Sequence, residues 1–177
     1  MRSRRALTTW RHGAITVAIV LHDDDRHVDD QHLNDALEEA IDRFSGAARA
    51  KQISLTLDCP EALSARINAE AFGHIVGNLV ENAIKYTPEG GEVDVRAFEE
   101  DGHVLVEVED NGPGIDPRHH ARIFERFYRV DAGRSRAVGG TGLGLAIVKH
   151  LSRATEAHVE LRSMPGRGTT FVVRLSP

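Results

Sequence analysis

The apolar positions of this chain follow a legible series of periods from residue 28 onward. Leu33, Leu37, Ile41, Phe44 and Ala48 recur at helical spacing, which predicts an amphipathic helix within 28–50. Ile53, Leu55 and Leu57 alternate with polar neighbours as a half-buried strand does, and 63–67 is placed to pair with it across the Cys59-Pro60-Glu61 turn. Phe72, Ile75, Val76, Leu79, Val80 and Ala83 then mark a long helix. Asn68 is its predicted N-cap, Glu70 lies in its first turn, and it stops near Tyr86, ahead of Pro88 and Gly90-Gly91. Val93 and Val95, then Val104, Val106 and Val108, alternate on either side of Asp101-Gly102 and read as a hairpin. A short helix over 118–124 follows. Residues 129–141 are rich in arginine and glycine without a period, which predicts a mobile loop closing over a ligand. A helix over 143–153 and a second hairpin, 157–161 with 170–175 about Pro165-Gly166, complete the pattern.

Residues 1–27 carry no such order and read as an unassigned segment or linker, leaving 28–177 as one domain. The apolar run from Ala14 to Leu21 is far shorter than the roughly 20 residues a bilayer demands, and Asp23-Asp24-Asp25 follows it in place of a cleavage site, so neither an anchor nor a signal peptide is expected. A chain of 177 residues with 41% apolar content can bury one real core. Its formal charge of -5 argues against a general nucleic-acid binder, so phosphate binding has to be local. The single cysteine, Cys59, has no partner for a disulfide and reads as a small packing residue.

Asn78, Asn82 and Lys85 follow i, i+4, i+7 along one edge of the long helix. Amides on an otherwise apolar helix need partners, because burying one without them costs a few kcal/mol. A solvent-facing edge is one explanation; the other is Mg²⁺ on the oxygen of Asn82, with Asn78 and Lys85 approaching phosphates beside it. Asp110 ends a predicted strand ahead of Asn111-Gly112-Pro113-Gly114, an ordinary turn by itself but also a carboxylate placed to accept from a flat, amino-bearing ring. Gly139, Gly140, Gly142 and Gly144 put bare N–H groups ahead of a helix N-terminus, an anion cradle that fits neither the P-loop nor the dinucleotide fingerprint. Phe124, Phe127 and Tyr128 cluster in a chain with six Phe, two Tyr and one Trp, and suggest either a hydrophobic hinge or plain core. Arg126 and Arg129 can reach developing negative charge, whereas Arg134 and Arg136 read as solvated loop residues. His119-His120 lacks metal-ligand spacing and is assigned to the surface.

Together, Asn78–Tyr86, Asp110–Gly114, Phe124–Phe127, Gly139–Gly144 and Gly166–Thr169 resemble the ATP-binding domain of sensor histidine kinases, the family that shares its fold with Hsp90, type II topoisomerases and MutL. The resemblance implies an α+β fold, a two-layer α/β sandwich whose mixed sheet carries three helices on one face. It implies ATP and Mg²⁺ as cofactors. Asn82 matches the metal ligand, Lys85 and Tyr86 match contacts to phosphate and to adenine or ribose, Asp110 matches the adenine acceptor, and Thr169 matches a residue sharing that role through water. The implied nucleotide set is Asn78, Asn82, Lys85, Tyr86, Asp110, Gly112, Gly114, Ile115, Gly140, Thr141, Gly142, Leu143, Gly144, Leu145 and Thr169, with Asn82, Lys85, Arg126 and Arg129 serving transfer.

The chaperone- and topoisomerase-type members carry a water-activating glutamate where this sequence has Asn78, and an amide cannot take a proton from water. The site therefore looks built to hold ATP for a better nucleophile, and imidazole is one. None of the ten histidines is followed by the Glu/Asp, Thr/Asn and Pro pattern of a phospho-acceptor box. The expected activity is transfer of the γ-phosphate to a histidine on a separate polypeptide or a missing acceptor domain, then to a response regulator. A monomeric, cytoplasmic domain without nucleic-acid or membrane contact is expected. A serine kinase of the anti-sigma type and an ATP-gated interaction module without transfer remain as alternatives. Thr155-Glu156-Ala157 departs from the family's usual glycine pair, which should alter only a turn.

Overall fold

A computed structural model describes residues 8–12, 15–19, 29–130 and 141–175 of the chain. Most of the loop expected over 129–141, with Arg134, Arg136, Gly139 and Gly140, lies outside the described residues. Within the stretch read as a linker, β1 (Thr8–His12) and β2 (Ile15–Ile19) form an antiparallel pair.

The helix expected over 28–50 is three elements: β3 (Asp29–His32), α1 (Leu33–Asp42) and α2 (Ser45–Ala50). Leu33, Leu37 and Ile41 do form one buried stripe on α1. The break comes where Phe44 N donates to Ile41 O at 2.8 Å and Ser45 Oγ to Asp42 O at 2.9 Å, which closes one helix and turns the chain into the next.

A second departure concerns pairing. Strand β4 (Ser54–Asp58) does not pair with β5 (Ser64–Ile67). It runs parallel to β6 (Glu92–Glu100), with Leu55 opposite Val93 and Leu57 opposite Val95, while β5 takes β3 as its antiparallel partner. The parallel register puts the leucines on the same face as the valines, so the apolar side chains of both strands enter one core.

Strands β6 and β7 (His103–Asp110) form the predicted hairpin, with Asp101 and Gly102 both in the left-handed region at its turn. Strands β8 (His158–Ser163) and β9 (Thr169–Arg174) form the other, and the mixed sheet runs β4-β6-β7-β9-β8. Its inner face carries Val93, Val95, Ala97, Val106, Val108, Phe171 and Val173, all buried. Over that face lies α3 (Ala69–Tyr86), packed against β6, β7, α1 and α5 (Gly144–Ala154). The outer face is mixed: Arg96 pairs with Glu109 and Arg162 with Glu107, while Leu105 and Val172 are buried on it. This is the expected two-layer α/β sandwich. The helix expected over 118–124 shrinks to one turn, α4 (Pro117–His120), started by Asp116 Oδ1 accepting from Arg118 N at 3.0 Å. At the Thr155–Ala157 turn, Glu156 keeps the left-handed backbone (φ 58°) that a glycine would adopt freely.

Candidate functional site

The site is organised on α3. Asn68 Oδ1 accepts from Ala71 N at 2.7 Å and fixes where the helix begins, hence where each later side chain points. Phe72, Ile75, Val76, Leu79, Val80 and Ala83 are buried against the sheet, whereas Asn78, Asn82 and Lys85 form a half-buried edge. The N-terminus of α5 faces that edge: a Cβ built on Gly144 would lie 2.9 Å from Asn78 Oδ1 and 3.6 Å from Asn82 Nδ2. Asn78 Nδ2 donates to His74 O at 2.7 Å, which holds the amide with its oxygen toward Gly144. Leu143 occupies the α5 N-cap without a side-chain cap bond, so the first N–H groups of that helix receive no side-chain acceptor there. Unfilled donors at the positive end of a helix favour an anion.

Positive charge gathers at the same edge. The Lys85 pKa is lowered from its ordinary value, first by burial and then by repulsion from Arg129, with Glu81 opposing. The Arg129 charge thus reaches Lys85. Arg126 lies exposed on the preceding turn. Lys85 Nζ also sits 5.3 Å from the ring centroid of Tyr86, which is 45% exposed.

Asp110 supplies the opposite chemistry. Register places it across from Val93 and Thr169, so its side chain enters the inner, helix-covered face at the end of β7. Its carboxylate accepts from the backbone N–H of Gly112 at 2.9 Å and of Thr169. Burial pushes its pKa up to about 6; those two N–H bonds pull against the rise, and Glu109 adds to it. The Asp110–Gly112 turn abuts the end of α3, since a Cβ on Gly112 would lie 3.4 Å from Tyr86 O. Gly168 (φ 80°) and Gly114 (φ 68°) have no room for a side chain: a Cβ would strike the carbonyl oxygens of Asp110 and Met164 respectively. These contacts clamp the β8–β9 turn onto 110–114.

Ser163 was not singled out by sequence. Its Oγ accepts from Ile115 N at 2.8 Å, donates to Gly168 O at 2.8 Å and lies 3.1 Å from Thr169 Oγ1, tying three predicted site segments together. Its signal was a hydroxyl at the inward register position that follows Val159 and Leu161.

The aromatic cluster divides. Phe124 packs edge-on to Phe171, with centroids 6.3 Å apart, and belongs to the core. Phe127 is exposed with φ 61°, and its N–H donates to Gly142 O at 2.9 Å, joining this segment to the start of α5. Tyr128 OH meets His119 Nδ1 at 2.6 Å, and the Arg122 guanidinium lies 4.2 Å from its ring centroid. The surface assignment of the histidines is therefore corrected: both are half-buried, His119 holding Tyr128 and His120 Nε2 lying 2.9 Å from Ile115 O. The Cys59 thiol is pushed up by burial and by Asp58 and Glu38, in keeping with an unreactive packing residue.

Ile115, Leu143 and Leu145 are half-buried beside these groups, and Thr141 is exposed at the edge of the described segment. Among the described residues no group of three or more His, Cys, Asp or Glu side chains is placed to hold a metal. An oxygen from Asn82 beside a phosphate site suits Mg²⁺, which is commonly bound through few protein ligands together with substrate phosphates and water.

Along the C-terminal half of α3 the start of α5 meets Asn78 and Asn82, Lys85 follows, and the buried Asp110 carboxylate lies at the turn that abuts the helix end, a set of groups suited to a nucleotide. The comparisons agree with it. A family model described as histidine kinase-, DNA gyrase B-, and HSP90-like ATPase matches residues 67–177, and the chain belongs to this family. It is 42% identical over 139 residues to the sensor-like histidine kinase SenX3 of Mycolicibacterium smegmatis, covering 78% of this chain and 36% of that protein. It is 40% identical over 144 residues to the phosphate regulon sensor protein PhoR of Pseudomonas aeruginosa, covering 81% and 32%. The chain thus spans about a third of the length of these curated relatives. Among solved structures, the mycobacterial sensor histidine kinase MprB matches with TM-score 0.71 and 27% identity over 84% of this chain and 97% of that one. Full-length ShkA in complex with AMPPNP matches with TM-score 0.72 and 31% identity over 84% and 30%. The chain carries the catalytic ATPase domain of the histidine-kinase type. Among the described residues, no helix is long and apolar enough to cross a membrane.

Proposed function

We propose that residues 28–177 bind Mg·ATP and donate its γ-phosphate to a histidine outside the ten of this chain, as the cytoplasmic catalytic part of a two-component sensor that passes phosphate on to a response regulator. The observation that carries this reading is the meeting of Asn78 and Asn82 with the uncapped start of α5 at Gly144, beside the Lys85–Arg129 pair. In this reading Asp110 accepts from the adenine amino group, with Thr169 sharing the contact. Gly112 and Gly114 leave room for the ring, and Tyr86, Ile115, Leu143 and Leu145 flank the nucleoside. Lys85, Arg129 and the N–H groups of Gly142 and Gly144 hold the phosphates. The metal ion, held by Asn82, would supply charge neutralisation at the phosphate oxygens.

An imidazole nitrogen then attacks the γ-phosphorus, the bond to the β-phosphate oxygen breaks, ADP leaves and the ring N–H proton passes to solvent. Asn78 offers no base for water, so hydrolysis is slow, and positioning of the acceptor sets the rate. The exposed Phe127 and Val130 and helix α1 are the surfaces proposed for docking the acceptor.

The test is incubation of the purified chain with γ-labelled ATP, alone and with a separately produced His-bearing helical hairpin. Slow hydrolysis, no self-labelling and acid-labile label on the added domain are expected. Acid-stable label on a partner would favour the serine-kinase reading, and stoichiometric acid-labile label on any of this chain's own histidines would overturn the trans-acceptor one.

A further inference from the structure

The C-terminus of α3 leaves carbonyl oxygens that no helix N–H can reach. One side chain from another part of the fold takes them. Lys51, the C-cap residue of α2, donates from Nζ to Ile84 O at 2.7 Å, Lys85 O at 3.1 Å and Thr87 O at 2.6 Å. An ammonium has three N–H donors, and the bond count matches them. Its charge also lies at the negative end of the helix dipole. The backbone reinforces the grip: Gly90 N donates to Lys51 O at 2.9 Å, and Gln52, held at φ 55°, donates from Nε2 to Glu89 Oε1 at 2.6 Å. The α2–β4 turn therefore clamps the whole exit of α3.

What is clamped is the end of the helix that carries Lys85 and Tyr86. On its far side the same end abuts the Asp110 turn, where a Cβ on Gly112 would lie 3.5 Å from Thr87 Cα. The last turn of α3 is thus held between Lys51 and the residues around Asp110. Losing the ammonium would free three carbonyls at the helix end that carries Lys85 and Tyr86 and let that turn fray, so a ligand would have to order it on binding.

We infer that Lys51 is a positioning residue for the nucleotide: it acts through the backbone of Ile84, Lys85 and Thr87 to fix Lys85 and Tyr86 against the phosphates and nucleoside, without touching either. The inference rests on the ATP reading of the site. A helix cap with no further role would contribute to stability alone, and the two roles differ in what they move.

The experiment titrates the full chain with Mg·ATP by calorimetry, well below each variant's melting temperature, for wild type, Lys51→Met, Lys51→Arg, Lys85→Met and the Lys51→Met/Lys85→Met double variant. Lys51→Met is expected to raise the ATP Kd about tenfold. Lys51→Arg should recover part of the loss, and in the double variant the two losses should combine to less than their product, because both changes act on the Lys85 contact while only Lys51→Met also releases Tyr86. A lowered melting temperature with unchanged ATP affinity, or losses that multiply fully in the double variant, would overturn the inference. If Lys51→Met does not fold, Lys51→Gln and Lys51→Arg carry the same comparison. Wild type that fails to bind Mg·ATP would instead refute the functional reading beneath it, which separates the two failures.

Discussion

Gly144 at the start of α5 is packed against Asn78 of α3 so closely that a Cβ would come within 2.9 Å of the Asn78 amide oxygen. Two effects of a methyl group there oppose each other. Alanine is favoured over glycine in a helix by about 1 kcal/mol, whereas the contact with Asn78 forces the two helices or the amide to shift. Gly144→Ala is therefore expected to leave the melting temperature unchanged or raised while lowering ATP affinity about tenfold. Thermal melts and ATP titration together check this. Undiminished affinity would mean that the spacing between Gly144 and Asn78 plays no part in binding.

Asp110 makes a pH prediction whose sign is fixed. Its pKa in the fold is about 6, raised from an ordinary 3.8, so the folded state holds a proton over a range in which the unfolded chain has lost it. The stability associated with this group is fully present below the ordinary carboxylate range and is lost as pH rises through 6. Adenine recognition runs the other way, because the charged form is the better acceptor. ATP affinity should fall as pH drops from 7.5 to 5, and Asp110→Asn should remove most of that dependence while lowering affinity at pH 7.5 by one to two decades, as expected for about 1.5–3 kcal/mol. Titrations across this range decide it; a wild-type affinity that is flat in pH counts against the assignment.

Asn82→Ala separates metal from nucleotide. If Asn82 ligates Mg²⁺, the substitution should weaken binding of Mg·ATP several-fold more than binding of ATP in EDTA, while the melting temperature changes little for a half-buried edge residue. Equal losses with and without the metal would remove Asn82 from the metal site.

The β8–β9 turn offers an internal control. Gly166 (φ 76°) and Gly168 (φ 80°) share the left-handed conformation, but a Cβ on Gly166 meets open space and one on Gly168 strikes the Asp110 carbonyl. Gly166→Ala should cost only the conformational term, about 1–2 kcal/mol. Gly168→Ala should cost about 1–3 kcal/mol more, and should also weaken ATP binding because it displaces Asp110. Denaturant melts of the two variants measure the difference. Equal costs would show that the clamp between the turn and β7 yields freely.

What the sequence made legible follows from where each signal is stored. The capped start of α3 at Asn68, the Asn78–Asn82–Lys85 edge and both hairpins depend on local spacing and turn chemistry, and these could be read directly. The break between α1 and α2 could not, because Phe44 and Ala48 continue the apolar period across it. The partner of β5 was missed because alternation says that a strand is half-buried without naming the strand, here β3, that it meets. Lys51 was invisible for a related reason: its acceptors are backbone carbonyls, which every residue possesses. His119 and His120 looked solvated since their partners, Tyr128 OH and Ile115 O, become neighbours only when the segment folds back on itself.

Helix α3 is at once the centre of the hydrophobic core and the wall of the proposed ATP site, so folding and binding would draw on the same ordered backbone. A ligand that binds only this ordered form adds to its stability by mass action, about 2.7 kcal/mol at a hundredfold excess over Kd. Mutations buried far from the site, at Leu79 or Val106 for example, would then look milder in a cell replete with ATP than in a dialysed sample. On the proposed reading the nucleotide would act on this domain as a folding chaperone of small size, and its local concentration would set how much sequence damage the domain tolerates.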